Sequence, residues 1–280
     1  MRCLVTGGCG FIGTRLVNKL SQEHQVTSID LKASKRPLNK KVTYRFLDIN
    51  EIDNVYDEFD IIFHLAAVSS IGAATKNPIE CYRTNVLGTT AVLEKARRDK
   101  SQVIFASTCA IYNDKGEISD KILSHYQSSK LMGELLCQSY SNVKTKIFRI
   151  FNVYGPGDNK GVVSIFCHQR EKLIPLTIAG DGTALRDYIH VDDVVDVMTK
   201  VPVMGEQTFP PADLCTGVLT SINELAKMFE TQSINIPLPL EQSYNSPRKE
   251  PPIYLCGHFR KLNLYVREWF EEKAEEFVPF

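Results

Sequence analysis

Runs of apolar residues alternate with helical patterns along the first half of the chain. Runs rich in β-branched and aromatic residues predict strands at Arg2–Thr6, Gln25–Asp30, Val42–Leu47, Asp60–Ala67, Gln102–Thr108 and Thr145–Phe151. Apolar residues at helical spacing predict helices over Ile12–Leu20, from Pro78 to about Lys100, and over Tyr126–Tyr140. Strands that alternate with helices in this way predict parallel βαβ units and therefore a doubly wound α/β sheet.

The pattern loosens after Asn152. Gly and Pro become frequent, and a capping box at Ser221–Glu224 opens one further helix, predicted to reach about Glu230. We therefore predict a sheet domain over residues 1–152, joined by a helix near residues 191–201. A smaller, irregular substrate-binding lobe is predicted over residues 153–280. It should cover the carboxyl edge of the sheet, where ligands of doubly wound folds bind.

Composition narrows the functional classes. The 280 residues carry 33 Lys and Arg against 33 Asp and Glu, so the chain has no general attraction for nucleic acid or for an anionic membrane. No apolar run approaches the roughly 20 residues of a membrane span, and the apolar start is too short for a signal peptide. We expect a cytoplasmic protein. The eight cysteines and six histidines are scattered, which favours reduced thiols and no metal site.

The first predicted strand and helix are joined by a glycine-rich loop, Thr6–Gly13. Gly8, Gly10 and Gly13 satisfy the G-x-G-x-x-G dinucleotide pattern, and Gly7, Gly10 and Gly13 also lie three residues apart. Such glycines allow a tight turn and a close approach of a pyrophosphate to the helix N-terminus. The loop therefore predicts a dinucleotide site, because strand, loop and helix follow in the required order.

Asp30 ends the second predicted strand, at the distance from the loop where such sites carry an acidic residue. Its carboxylate can accept hydrogen bonds from both ribose hydroxyls and would repel a 2′-phosphate. The sequence therefore favours NAD over NADP, although Lys32 and Lys35 follow closely.

These motifs and several others resemble the extended short-chain dehydrogenase/reductase superfamily, in its NAD-dependent nucleotide-sugar epimerase/dehydratase branch. The matching segments, in chain order, are Thr6–Gly13, Asp48–Ile49, His64–Ala67, Asn85–Thr89, Ser107–Thr108, Tyr126 with Lys130, Arg149–Pro156 and Gly180–Asp193. The resemblance implies a Rossmann-type domain that holds NAD and a C-terminal lobe that holds a nucleoside-diphosphate sugar.

Tyr126 and Lys130 are the candidate catalytic pair. They lie four positions apart, on one face of the predicted helix. A nearby ammonium, together with the positive nicotinamide, would favour the phenolate and lower the tyrosine pKa from its usual value near 10. Tyr126 would then take a proton from a sugar hydroxyl, and Thr108, at the end of a strand, would hydrogen-bond the same oxygen. The resemblance also places Lys130 on the nicotinamide ribose.

The remaining site residues are carried over from the family. The cofactor positions are Gly7, Gly10, Phe11, Ile12, Gly13, Asp30, Asp48, Ile49, Leu65, Ala66, Ala67, Asn85, Tyr126, Lys130 and Phe151. The substrate positions are Thr108, Asn152, Val163, Arg186 and Arg248. Two guanidiniums suit a diphosphate, because their planar donors bind oxyanions in pairs. His64 is expected to be a packed core residue.

The residues after Thr108 bear on the reaction. Dehydratases and sugar-acid decarboxylases of the branch typically carry a carboxylate there, whereas this chain has Cys109 and Ala110. We do not expect Cys109 to act in catalysis, because a strand end should turn it away. The simplest remaining reaction is a 4-epimerisation through a 4-keto sugar. An NAD(P)H-dependent 4-ketosugar reductase would use the same residues, and a non-catalytic dinucleotide sensor is an alternative of another class.

Family members usually dimerise by packing two helices per subunit into a four-helix bundle. The matching helices here are predicted near residues 78–100 and 125–141. A second apolar face for a partner could come from Tyr82, Leu87, Thr90, Met132 and Cys137. We therefore predict a homodimer.

Overall fold

A computed structural model of the chain describes residues 1–33, 38–113, 115–119, 124–157, 160–200, 210–237 and 262. The strands within these ranges are β1 (Arg2–Thr6), β2 (Gln25–Asp30), β3 (Val42–Phe46), β4 (Ile61–His64), β5 (Gln102–Thr108), β6 (Thr145–Ile150), β7 (Asn152–Tyr154), β8 (Leu176–Ala179), β9 (Leu185–His190), β10 (Ala212–Leu214), β11 (Leu219–Ser221) and β12 (Ser233–Ile236). The α-helices are α1 (Phe11–Leu20), α2 (Ile71–Lys76), α3 (Pro78–Tyr82), α4 (Gly88–Asp99), α5 (His125–Ser139), α6 (Val162–Glu171), α7 (Val191–Lys200) and α8 (Ile222–Lys227).

The central sheet has seven strands in the order β10-β6-β5-β4-β1-β2-β3, and each neighbouring pair is parallel. Buried apolar side chains cover both of its faces. One cluster contains residues of α1 and α7, and the other contains residues of α4 and α5. Parallel sheets are buried in this way because their crossover helices lie on the two faces. The predicted Rossmann-type fold is confirmed.

The segment after residue 152 contributes to this sheet as well as forming its own small sheets. β10 pairs with β6 and supplies the seventh strand. The two smaller sheets have the orders β11-β9-β7 and β12-β8. The division of the chain at residue 152 into two domains stays a prediction.

The predicted helix from Pro78 to about Lys100 is interrupted. α3 is followed by a π-helical turn over Arg83–Leu87, and α4 begins at Gly88. The turn carries Asn85, whose buried side chain bonds both backbone groups of Val68. Single π-turns of this kind occur often at functional sites.

The apolar surface predicted for a dimer partner lies on the π-turn and α5, and the structure differs from that prediction at one residue. Leu87 is 60% exposed and Met132 is 44% exposed, whereas Cys137 is buried against the sheet. Leu135, at 57%, is exposed on α5 instead. The placement of Cys137 on a partner-facing surface was therefore wrong. Its position on the helix brings it to the inner side with Val143 and Ile147.

The helix that follows the glycine loop is tied to the C-terminal segment. Arg15 on α1 pairs with Asp192 on α7 at 3.0 Å, and Lys19 pairs with Asp196 one turn further along both helices. Arg15 also donates a hydrogen bond of 2.9 Å to the Pro156 carbonyl. None of the helices in the described ranges is both long enough and apolar enough to cross a membrane.

Candidate active site

A cavity of about 820 Å³ opens at the carboxyl ends of β1, β2, β4, β5 and β6. Among the predicted site residues, those that line it are Gly7, Gly10, Phe11, Ile12, Gly13, Asp30, Asp48, Ile49, Leu65, Ala66, Ala67, Thr108, Tyr126, Lys130 and Phe151. Asn85, Asn152, Val163 and Arg186 are not part of its lining. Arg248 lies outside the described residues.

The glycine loop packs so tightly that a Cβ at Gly7, Gly8 or Gly13 would lie 2.7 Å or less from a neighbouring atom. Gly7 has φ +72°, and a Cβ there would lie 2.7 Å from the Ala66 nitrogen. A Cβ on Gly13 would lie 2.1 Å from the Gly7 carbonyl oxygen. At Gly10, by contrast, the nearest atom to such a Cβ is the Gly7 carbonyl oxygen at 3.2 Å, a tight contact that a shift of a few tenths of an ångström would relieve. The loop thus brings its backbone and the N-terminus of α1 to the cavity.

Two carboxylates lie at the end of the cavity formed by β2 and β3. The Cys9 N–H donates a 3.0 Å hydrogen bond to the Asp30 carboxylate, which fixes its orientation beside the glycine loop. Asp48 accepts hydrogen bonds from the backbone and side chain of Asn50, at 2.9 and 2.7 Å. These bonds, together with Arg83 at 3.0 Å, hold the pKa of Asp48 below its usual range.

The segment after β4 forms one wall, and Asn85 acts behind it. The Ala66 N–H donates to the Thr6 hydroxyl at 3.2 Å. Asn85 accepts from the Val68 N–H at 2.8 Å, and its amide donates to the Val68 carbonyl and to Ser129, at 3.1 and 2.8 Å. Asn85 therefore supports the wall through Val68, while its predicted direct contact with a cofactor stays a prediction.

Tyr126 and Thr108 meet at the end of β5. Desolvation raises the pKa of Tyr126 to about 12, and a hydrogen bond with Thr108 acts in the opposite direction. The Thr108 oxygen accepts from the Ala110 N–H at 3.2 Å, so its own proton is available for the tyrosine oxygen. The lowered tyrosine pKa predicted from the sequence included a positive nicotinamide. In the protein alone, desolvation outweighs the hydrogen bond with Thr108, and the pKa of Tyr126 is raised.

Lys130 lies one helical turn beyond Tyr126 and is only 5% exposed. Its ammonium donates a 2.7 Å hydrogen bond to the Ala106 carbonyl and lies 5.0 Å from the centre of the Phe105 ring. Burial lowers the pKa of Lys130 to about 8. At neutral pH the amine is therefore mainly protonated, with two further N–H donors.

The residues predicted to bind substrate lie beside this cavity rather than in its wall. The Asn152 amide donates to the Asp187 carbonyl at 2.9 Å, which links β7 to β9. Val163 is buried in the apolar cluster around α6. Arg186 is largely buried. Burial raises the pKa of the Cys109 thiol, and the positive charge of Arg186 acts in the opposite direction. The guanidinium therefore lies near Cys109, the residue after Thr108. Their substrate contacts stay predictions.

Several lining residues were not predicted as site residues, among them Val68, Ser69, Glu80, Thr84, Ala106, Ser107 and Lys160. Val68 and Ser69 lie four and five residues after the end of β4, and Ala106 and Ser107 precede Thr108 at the end of β5. Their place near a carboxyl edge of the sheet was therefore a usable signal. Glu80 and Thr84 come from α3 and the π-turn. Nothing in the local pattern brings these two to the cavity.

The arrangement fits an extended dinucleotide. A glycine-rich loop leads to a helix N-terminus, an oriented carboxylate lies beside it, and Lys130 and Tyr126 lie towards β5. The described residues hold no group of three or more His, Cys, Asp or Glu side chains suited to a metal ion.

Comparison with known proteins finds relatives along most of the chain. A UDP-N-acetyl-alpha-D-glucosaminuronate decarboxylase of Bacillus cytotoxicus is 32% identical over 222 residues, which cover 70% of this chain and 69% of the relative. UDP-glucuronic acid decarboxylase 6 of Arabidopsis thaliana is 31% identical over 278 residues, 90% of this chain and 80% of that protein.

Solved structures agree in fold. The UDP-glucose 4-epimerase of Thermotoga maritima, solved with UDP-glucose, has a TM-score of 0.83 and 25% identity, with 98% of this chain and 100% of that chain covered. The UDP-glucose 4-epimerase of Thermus thermophilus, solved with NAD, has a TM-score of 0.80 and 26% identity, with 96% and 99% covered. The sequence model of one family matches residues 3–235, which confirms the resemblance seen in the motifs. The chain belongs to the NAD dependent epimerase/dehydratase family, whose cofactor is NAD.

Proposed function

We propose that this chain is a nucleotide-sugar 4-epimerase that inverts C4 of a UDP-type sugar through a transient 4-keto intermediate. One observation carries the proposal: Thr108, Tyr126 and Lys130 line the same cavity as the glycine loop and Asp30, and no carboxylate follows Thr108. Cys109 and Ala110 occupy the next two positions, and both are buried. Structural likeness to 4-epimerases solved with UDP-glucose or NAD supports the same reaction.

In this proposal the glycine loop, Asp30 and Lys130 would hold NAD, which would supply the acceptor for the C4 hydride and its return to the opposite face of C4 once the 4-keto sugar has turned in the cavity. Tyr126 takes the proton of the C4 hydroxyl and later gives a proton back to the 4-keto oxygen, which is general base and general acid catalysis by one group. Thr108 donates a hydrogen bond to the tyrosine oxygen. The buried Lys130 ammonium places a positive charge one helical turn away, which favours the phenolate.

A second candidate is a decarboxylase that acts on a UDP-sugar acid. Relatives with that name share 31–32% identity with most of the chain. Oxidation at C4 would place a C5 carboxylate β to the new carbonyl, so the first step and the residues that perform it would be the same. The absence of a carboxylate at Cys109 and Ala110 favours epimerisation, because that group would have to manage protons near C5.

The test is a panel of UDP-glucose, UDP-galactose, UDP-N-acetylglucosamine and UDP-glucuronic acid, incubated with the purified protein without added cofactor. Products are separated by chromatography and identified by NMR. An epimer of unchanged mass supports the proposal, and loss of CO2 from UDP-glucuronic acid supports the decarboxylase.

Added 4-keto sugars and a cofactor assay distinguish the epimerase from a reductase and from a non-catalytic sensor. A strict need for stoichiometric NADH or NADPH with 4-keto sugars would indicate a reductase. No NAD in the denatured protein by mass spectrometry, together with no turnover of any nucleotide sugar, would indicate a non-catalytic sensor and overturn the proposal. The variant Tyr126→Phe is the control that assigns any activity to this cavity.

A further inference from the structure

The catalytic face of α5 continues past Lys130. Tyr126, Lys130 and Glu134 lie at positions i, i+4 and i+8 of the helix, so they line one face. Glu134 is only 1% exposed. Acidic residues are almost never fully buried unless they are paired, so a partner is needed.

Glu134 connects three elements below the cavity. It pairs with Arg149 of β6 through nitrogen–oxygen distances of 2.7, 3.0 and 3.2 Å. The hydroxyl of Ser107, a lining residue of the cavity, donates a hydrogen bond to the same carboxylate. Glu134 therefore fixes the residue before Thr108 against the helix that carries Tyr126.

The network extends to the edge of the sheet. Arg149 donates to the Tyr112 hydroxyl at 2.7 Å, and that hydroxyl donates to Asp213 of β10 at 2.6 Å. Burial disfavours the charged form of Arg149, but the hydrogen bonds to Glu134 and Tyr112 outweigh this and raise its pKa. The guanidinium is therefore a permanent charge that Glu134 must balance.

Lys130 is surrounded by groups that carry no negative charge, with one exception. His64 of β4 is fully enclosed, and burial lowers its pKa to about 3, so it is neutral. Cys137 on α5 is a neutral thiol, because burial raises its pKa to about 12. Cys81 of α3 is a further thiol near the ammonium. Of these described neighbours, only Glu134 brings a carboxylate, and its charge opposes the effect of burial on Lys130.

We propose that Glu134 is a positioning residue for the Tyr126–Lys130 pair: its carboxylate is the negative counterpart of the buried Lys130 ammonium and holds the Ser107–Thr108 end of β5 against α5. It touches neither substrate nor cofactor in this role. Its effect on Lys130 does not depend on which sugar is turned over. Its effect on turnover rests on the proposed function.

The direct test follows the titration of Lys130 in the full chain labelled with 13Cε-lysine, with the signal assigned by Lys130→Arg. Removal of an opposite charge favours the neutral amine, so Glu134→Gln should move the Lys130 midpoint to lower pH, by more than the difference between repeat titrations. Glu134→Asp keeps the charge and should leave the midpoint close to that of the parent.

The matched control is Asp99→Asn. Asp99 pairs with Lys95 at 2.6 Å on α4, and that ion pair is also buried and also spans i and i+4. This variant should lose stability without moving the Lys130 midpoint. If Glu134→Gln loses stability in the same way and leaves the midpoint unchanged, Glu134 is merely structural and the proposal is overturned.

The double variant Glu134→Gln/Arg149→Met keeps the test possible if the single variant does not fold, because it removes the unpaired guanidinium as well. The Lys130 midpoint of the double variant should lie between the midpoints of Glu134→Gln and the parent, because one nearby positive charge is lost together with the negative one. If the single variant cannot be measured, the midpoint of the double variant should still lie at lower pH than that of the parent. Where turnover is observed, the limb that falls at high pH should move to lower pH with the midpoint. A chain without turnover but with a shifted midpoint would contradict the proposed function and leave this inference standing.

Discussion

The predicted cofactor residues and the predicted substrate residues differ in how the chain supplies them. On the cofactor side, the glycine loop, Asp30, the segment after β4 and the Tyr126–Lys130 pair come from successive strand ends and one helix, and they meet at one sheet edge. The predicted substrate residues Asn152 and Arg186 lie beside the cavity, on small strands of another sheet, and bond backbone groups of that sheet. A parallel sheet collects its carboxyl ends by topology alone, whereas the substrate side depends on packing that no repeating pattern encodes.

The largest effect on turnover is expected at Tyr126, the proposed general base and acid. Tyr126→Phe should keep the fold and NAD binding but lower kcat by at least ~100-fold, the scale of a lost general acid and base. Steady-state kinetics and the NAD content of the purified protein are the measurements. Tyr140→Phe, at the far end of α5 with its hydroxyl on Glu94, is the control and should turn over normally. Near-normal turnover by Tyr126→Phe would remove this residue from the mechanism.

The next largest effect is expected at the ribose end of the cofactor side. Hydrogen bonds to a charged group are worth about 1.5–3 kcal/mol. Asp30→Ala should therefore weaken the binding of NAD roughly 10–100-fold and the binding of NADP less. Calorimetric titration of both dinucleotides measures the gap. The control is Asp53→Ala, which removes an exposed carboxylate paired with Arg98. It should bind NAD and NADP with the affinities of the parent. Equal affinity of the parent for NAD and NADP would contradict the role of Asp30.

A substitution on the substrate side should separate the two halves of the site. If Arg186 contacts a diphosphate, Arg186→Met should raise KM for the nucleotide sugar about tenfold and leave NAD affinity unchanged. Arg45→Met, which removes an exposed cation paired with Asp57, is the matched control. An unchanged KM, or a parallel loss of NAD affinity, would show that Arg186 serves the fold rather than the substrate.

The smallest effect on turnover is expected from assembly. The exposed apolar side chains of Leu87, Met132 and Leu135 offer a face for a second copy, so light scattering should give about twice the 31.6 kDa of one chain. Leu135→Glu should shift the mass towards one chain, because a charge would be buried at the interface. A mass near 31.6 kDa for the parent in an active preparation would rule out the dimer.

Much of the central fold could be predicted because its signals are local. β5 and β2 were predicted at their observed bounds, and the glycine loop lies where the motif requires. The π-turn at Arg83–Leu87 was missed because one inserted residue hardly changes the apolar period. β10 was missed because three residues are too few to show a period. The bonds of Glu134 to Ser107 and Arg149 join residues 27 and 15 positions apart, so only the folded chain brings them together.

The ion pairs of Arg15 and Lys19 with α7 couple the stability of α1 to that of the C-terminal part of the chain. A ligand held at the N-terminus of α1 stabilises a helix that is fastened to residues more than 170 positions later in the chain. Removal of everything after residue 152 would strip α1 of that support and expose β6 as an unpaired edge, which invites aggregation. Dinucleotide binding should therefore protect Val194, Val197 and their neighbours from hydrogen exchange, although these residues lie outside the cavity lining.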